Sequence, residues 1–476
     1  MDPPASKPDQ VFYGLSTNNS IIKYNANASA TVILNTSIIG LPAGEQIIAI
    51  DFRPATGQLY GLGASSKLYI INPETGVSSA ISITPFTPAI AGSLSGFDFN
   101  PTVDRIRLVT SAGQNLRLHP ETGVVAATDL SLNPGTPSIA SAAYTNSMAG
   151  ASSTVLYDID IAAGKLYKQD PPNNGTLVEV GPLGVTAGNE SGFDISPDNS
   201  VALASLNVGG NCVLYQVNLA TGAAISLGNL AIPIIGLAIP PAPVAYTVDA
   251  SNNLQIVNLK TPAASLVVKA ITGLQAGETV LGIDHRPATG QLFALGSTSR
   301  IYTINMATGA ATSVSLAPFT TLLSGTSFGF DFNPTVDRIR VVSNTGQNLR
   351  LNPITGDIAA VDGSLNPGTP MVSAAAYTNS FAGATSTTLF VIDPSTDKLY
   401  TQNPPNNGTL VETGSLGIDI SADNGFDIGG ASNKGYALLT TGSTSKLYSI
   451  NLTTGAATEL AAFPNAVKGI AIGPGF

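Results

Sequence analysis

The sequence predicts an all-β protein, a β-propeller of ten four-stranded blades. Three features predict it: a long tandem repeat, a shorter repeat inside it, and glycine-rich turn chemistry where helical periodicity is lacking. Val11 and Val244, Asp51 and Asp284, Asp98 and Asp331, Tyr144 and Tyr377, Asp194 and Asp427, and Gly236 and Gly469 each lie 233 residues apart. A tail at 1–10 therefore precedes a first five-blade copy at 11–243 and a second at 244–476.

The shorter unit reads as an inner strand ending in Asp-x-x-Pro, a second strand, a tight turn, a third strand ending in Asn-Pro-x-Thr-Gly, and a polar β-branched fourth strand. IAIDFRPATGQLYGLGASSKLYIINPETGVSSAISIT at 48–84 carries all four. Related versions begin at 96, 141 and 192, and VFYGLST, SIIKYN and ATVILNTSI supply three strands of the first blade. Four short alternating strands per unit of about 47 residues, punctuated by glycine, are the pattern of a propeller blade.

Ten blades can close as one ring or as two rings of five. The join GLAIPPAPVAYTVD adds no linker between the copies, which favours one continuous ring in which residues near 468–474 pair with residues near 11–17. The alternative, two five-bladed rings in tandem, is favoured by the small inner-strand residues of SAAAYTNS and NGFDIGG, which suit a narrow centre.

Charged residues are 11% of the chain and the formal net charge is −10, with no basic run. That excludes a nucleic-acid backbone as partner, because such binding needs clustered Lys and Arg. The apolar stretch at 231–246, AIPIIGLAIPPAPVAY, is cut by prolines and falls short of the roughly 20 residues of a membrane-spanning helix. Cys212 is the lone cysteine, so no intrachain disulfide forms. The opening MDPPASKPDQ has neither the basic nor the apolar region of a secretory signal.

One string stands out in both copies: DFNPTVDRIRLVTSAGQNLRLHPETG at 98–123 and DFNPTVDRIRVVSNTGQNLRLNPITG at 331–356. Six of the nine arginines, Arg105, Arg107, Arg117, Arg338, Arg340 and Arg350, fall inside it, and Arg53 and Arg286 form another matched pair. An arginine on a strand covered by neighbouring blades must find carboxylates or carbonyls, since an uncompensated buried charge costs several kcal/mol. Asp98, Asp104, Asp331 and Asp337 are the expected ion-pair partners. The functional reading would place these groups around an anion or metal at one face of the ring.

Together with GIDHRPATGQL, AAYTNS and PPNNGTLVE, these strings resemble an uncharacterised bacterial family of domains of unknown function, found chiefly in predicted exported proteins. The resemblance covers both copies. It implies a repeat-built β fold and export to the cell surface or the extracellular space, and it brings no catalytic residues.

Reactive side chains do not survive the duplication: His119 corresponds to Asn352, His285 to Phe52 and Cys212 to Ser445. No zinc cluster and no Ser-His-Asp or Cys-His arrangement recurs. The absence of Trp removes the usual aromatic platform of a sugar binder. Carboxylates do survive. Asp51, Asp98 and Asp194, with Asp284, Asp331 and Asp427, recur at one place on the inner strands, where they either face a common axis and hold a hard cation such as calcium or accept turn amides. No D-x-D-x-D-G loop accompanies them, so no cofactor is expected. The function expected is that of a non-catalytic exported module with a protein or extracellular-matrix partner, able to self-associate through uncharged blade edges. The alternative is an enzyme or metal-dependent binder using the axial carboxylates.

Overall fold

The structure is a computed structural model and describes residues 7–189, 191–422 and 424–476. The chain divides into two compact units between Ala242 and Pro243. Each unit contains five four-stranded antiparallel sheets. In the first unit the sheets run outward from inner strands Gly236–Ala238, Ile47–Phe52, Ser95–Asn100, Ile139–Tyr144 and Ser191–Ile195, here blades 1 to 5. In the second unit the inner strands are Val467–Ile472, Val280–Arg286, Phe328–Asn333, Ala374–Tyr377 and Gly425–Ile428.

The expected continuous ring does not form, because each unit closes on itself. Gly236–Ala238 pairs with Val11–Leu15 in the register Tyr13↔Ala238 and Leu15↔Gly236. Val467–Ile472 pairs with Val244–Asp249 through Ala245↔Ile472 and Thr247↔Ile470, not with residues near 11–17. The reason lies in the small inner-strand residues. A Cβ on Gly192 would stand 2.5 Å from the backbone nitrogen of Leu237, and one on Gly425 would stand 2.5 Å from the carbonyl carbon of Gly469. Inner strands of the fifth blade thus pack directly on the closing strand of the same copy. What reads in sequence as an ordinary turn, IPPAP at 239–243, leads from one closed unit into the next.

Turn chemistry defines the blades. In the repeated Asn-Pro-x-Thr-Gly turn, the Asn72 side chain accepts from the backbone N–H groups of Glu74 and Thr75 at 3.0 and 3.1 Å. Gly76 follows at φ 75°, with its own N–H on the Asn72 carbonyl. The core lies between blades, as in the cluster of Ile159, Leu166, Phe193, Leu206 and Tyr215 between blades 4 and 5.

The uncharged fourth-strand segments at 30–39, 76–84, 309–317 and 222–230 give the strands Leu34–Ser37, Ser78–Ala80, Ala311–Ser313 and Ala224–Asn229. Three of the four are only three or four residues long, and parallel bridges Ile39↔Val77 and Thr272↔Ala310 tie rims of adjacent blades together. Short edges of this kind are already poor templates for pairing with another chain. Among the described residues no helix is long and apolar enough to cross a membrane.

Candidate functional site: arginine clamps and axial carboxylates

The repeated signature begins as a turn. Asn100 accepts from the Thr102 N–H at 3.0 Å and the Thr102 hydroxyl at 2.7 Å, and Asp104 takes a left-handed φ of 51° that a short polar side chain tolerates. The turn carries the Asp104 carboxylate to blade 2. There Arg53 donates to it from both Nε, at 2.9 Å, and Nη2, and Nη2 also meets Glu121 Oε1 at 2.8 Å. The second unit repeats the pairing between Arg286 and Asp337. Ile354 replaces Glu121 there, and the Arg286 side chain is 14% exposed where Arg53 is fully covered.

Arg107 is the second clamp. Its guanidinium donates to the Tyr144 hydroxyl at 3.3 Å, Asn115 Oδ1 at 2.7 Å, Asp129 Oδ2 at 2.6 Å and Asn173 Oδ1 at 2.8 Å. Arg340 makes the same four contacts with Tyr377, Asn348, Asp362 and Asn406. Arg117 and Arg350 grip Asp129 and Asp362 bidentately from the more exposed side at 2.8 to 2.9 Å. Arg105 and Arg338 each donate to a backbone carbonyl, of Asp104 and Asp337. The Gly-Gln-Asn part is a fastener as well: Asn115 donates to the carbonyls of Leu130 and Pro172, and Gln114 to that of Ala89.

Two expected ion-pair partners are thereby corrected. Asp98 and Asp331 stand opposite Arg107 and Arg340 in register, yet neither pairs with it. The acid is Asp129 or Asp362, which directly follows the fourth strand of the blade, and Asp98 and Asp331 turn to the ring axis instead. Sequence spacing favours the nearer acid; strand register alone does not say which way its carboxylate turns.

At each axis three carboxylates converge. Ligand oxygens of Asp51, Asp98 and Asp194, all buried, lie within 4.8 Å of one another, as do those of Asp284, Asp331 and Asp427. The other two blades carry Ala143 and Ala238 at this level in the first unit. Each aspartate also reaches the next blade. Asp51 accepts from the Phe99 N–H at 2.8 Å, Asp98 from Tyr144 at 3.0 Å and Asp194 from Ile239 at 2.5 Å. Asp284, Asp331 and Asp427 repeat this with Phe332, Tyr377 and Ile472.

Burial, and then the neighbouring Asp194, push the Asp51 carboxyl well above the usual range. Burial followed by Asp51 and Asp194 does the same to Asp98. Asp194 is pushed up to about 7 by burial, against the pull of the Ile239 and Ile195 amides. Asp284 and Asp331 are raised in the same way, and Asp427 reaches about 7. Such a triad is neutralised either by shared protons or by a hard cation, for which carboxylate oxygens are the fitting donors. The cavity beside the triad measures about 20 Å³ in the first unit and about 10 Å³ in the second. It is lined by residues just before the aspartates, among them Ile50, Phe97 and Phe193. That is room for a water or an ion, far from the several hundred Å³ of a substrate pocket.

Neither histidine ring belongs to a triad, although the His285 backbone N–H donates to Asp284 at 2.7 Å. His285 is buried edge-on to Tyr246, and burial followed by the Arg105 and Arg53 charges lowers His119 to about 4.

A family model described as "Domain of unknown function (DUF4394)" matches residues 20–238 and again 253–471. The chain belongs to the DUF4394 family. The signature, its arginine clamps and the axial aspartates all lie inside the two matched segments of this DUF4394 chain. No curated protein matches it. A solved chain described as "Structure of Dos1 propeller" is similar at 10% identity, over 70% of this chain and 93% of that one, with a TM-score of 0.27. At that score the likeness carries no argument. The propeller assignment rests on the strand order of the ten sheets.

Proposed function

We propose that this DUF4394 protein is a non-catalytic exported module that binds a protein or an extracellular polymer at the bacterial surface. The observation that supports it is where the signature's charged groups end. Arg105, Arg107 and Arg117 of the signature, and Arg53 outside it, are all engaged by side chains or carbonyls of the protein itself, so the most distinctive residues serve the scaffold. A scaffold held in this way leaves recognition to the exposed loops and rims. Fractionation and surface labelling of cells of the source organism test it. The protein is expected in the surface or extracellular fraction, retained by material from the same cells; a cytoplasmic pool alone would overturn the reading.

A second reading, a metal-dependent binder, is favoured by the convergence of three buried carboxylates in each unit. Here Asp51, Asp98 and Asp194, and Asp284, Asp331 and Asp427, each hold one hard divalent cation such as calcium. Calorimetric titration of chelator-treated protein with calcium would give two ions per chain, and Asp98→Asn and Asp331→Asn would each remove one. No heat and no retained metal would discard this reading and leave the first untouched.

A further inference from the structure

The contact between blades 3 and 4 is nearly identical in the two units. Val109, Leu132, Ile139, Ala142, Tyr144, Leu156 and Leu177 form it in the first unit. Val342, Leu365, Val372, Ala375, Tyr377, Leu389 and Leu410 form it in the second, together with Val391. The residue matching Val391 in the first unit is Asp158. Its place is the same, opposite Ala142 on one side and Tyr167 on the other, as Val391 stands opposite Ala375 and Tyr400. Asp158 is fully buried, and neither carboxyl oxygen has a hydrogen-bond partner among the described residues.

An ionised carboxylate without partners in an apolar seam is strongly unfavourable, and a neutral carboxyl much less so. The groups that face this seam are Arg107 and Asp98 from blade 3, Tyr144 and Tyr167 within blade 4, and Asp129, which Arg107 holds. Asp98 repels a second negative charge. Among the described residues Arg107 is the cation that acts on Asp158, and it is already committed to Asp129, Asn115 and Asn173.

We propose that Asp158 makes the blade 3 to blade 4 contact of the first unit proton-dependent, closed while its carboxyl is neutral and loosened when ionisation draws Arg107 away from Asp129 and Asn173. The second unit, with Val391, lacks the device. Burial, partly offset by Arg107, raises Asp158 to about 8 from an ordinary 3.8. With the folded value above the unfolded one, the folded state binds the extra proton. The stabilisation is complete below about pH 4 and is lost as pH rises towards 8. The axial triads titrate in both units, so the difference between units isolates Asp158.

Hydrogen–deuterium exchange on the full chain, corrected for the intrinsic pH dependence of exchange, reads this directly. Protection of Leu156–Asp160 is expected to fall relative to Leu389–Asp393 by up to about tenfold per pH unit between pH 5 and 8, the slope of one proton. Asp158→Asn should abolish that excess slope. Asp158→Val, which installs the side chain the second unit uses, should abolish it and raise protection at every pH. Equal slopes in the two wild-type segments, or an excess that persists in either variant, would overturn the proposal.

Discussion

Asp194 accepts a hydrogen bond from the Ile239 backbone N–H at 2.5 Å, and so fastens the last blade of the first unit to the strand that closes it. Asp427 does the same for Ile472 in the second unit. Removing the acceptor leaves a buried amide unsatisfied, which costs on the order of 1–3 kcal/mol. Asp194→Ala and Asp427→Ala should lower stability by that amount at pH 5, and the Asn variants, which keep an acceptor oxygen, should lose less. Chemical denaturation checks both.

The arginine clamps predict a graded series. Arg107→Ala and Arg340→Ala empty a buried site, take the donor from the Asn115 and Asn173 or Asn348 and Asn406 oxygens, and leave Asp129 or Asp362 to the more exposed arginine alone, so each should cost about 3–5 kcal/mol. Arg117 is about a third exposed, 34%, and its removal leaves Asp129 paired with Arg107, so Arg117→Ala should cost at most about 1 kcal/mol. Unfolding midpoints that did not separate the two positions would contradict the clamp assignment.

The axial triads predict a pH dependence of defined sign. Asp194 and Asp427 are held near 7 in the folded state against 3.8 when free, so metal-free protein is most stable in mild acid. Stability then declines as pH climbs from about 4 through 7, and goes on declining while the remaining raised carboxyls ionise. Thermal melts in chelator across this range should show the decline. If a cation takes the place of the protons, calcium should remove it; the same decline with and without calcium would leave protonation as the neutral state of the triad.

Close packing of the inner strands predicts a contrast between two glycines. A Cβ on Gly192 meets the backbone of Leu237 at 2.5 Å, whereas one on Gly236 finds its nearest atoms at an ordinary 3.5 Å. Gly192→Ala should cost about 1–3 kcal/mol by overpacking, and Gly236→Ala should be tolerated. Equal effects would mean that the axis is looser than described.

Much of this architecture was legible in the sequence, because alternating apolar residues and Asn- or Gly-centred turns act locally. The strand count, the two copies and the inner-strand position of Asp51, Asp98 and Asp194 all follow from that local grammar. Ring closure was not legible in the same way. It depends on which distant strand Val11–Leu15 accepts, and the uninterrupted IPPAP join pointed to the wrong one, while the small inner-strand residues of SAAAYTNS and NGFDIGG carried the correct signal. The arginine partners failed for a related reason: Asp98 is opposite Arg107 in register, but its carboxylate turns to the Tyr144 amide of the next blade, a choice set by inter-blade geometry. Asp158 was visible as a mismatch with Val391, yet only the packed seam gives the mismatch a consequence.

The central claim is that each 233-residue copy is a self-closed five-bladed unit held by its own signature. Residues 7–242 produced alone test it most directly, by equilibrium denaturation followed through circular dichroism at several protein concentrations. The account predicts a monomer that unfolds in one cooperative, concentration-independent transition, and that loses stability on Asp194→Ala as the full chain does. A fragment that is unfolded, or that folds only on pairing with a second copy, would contradict it.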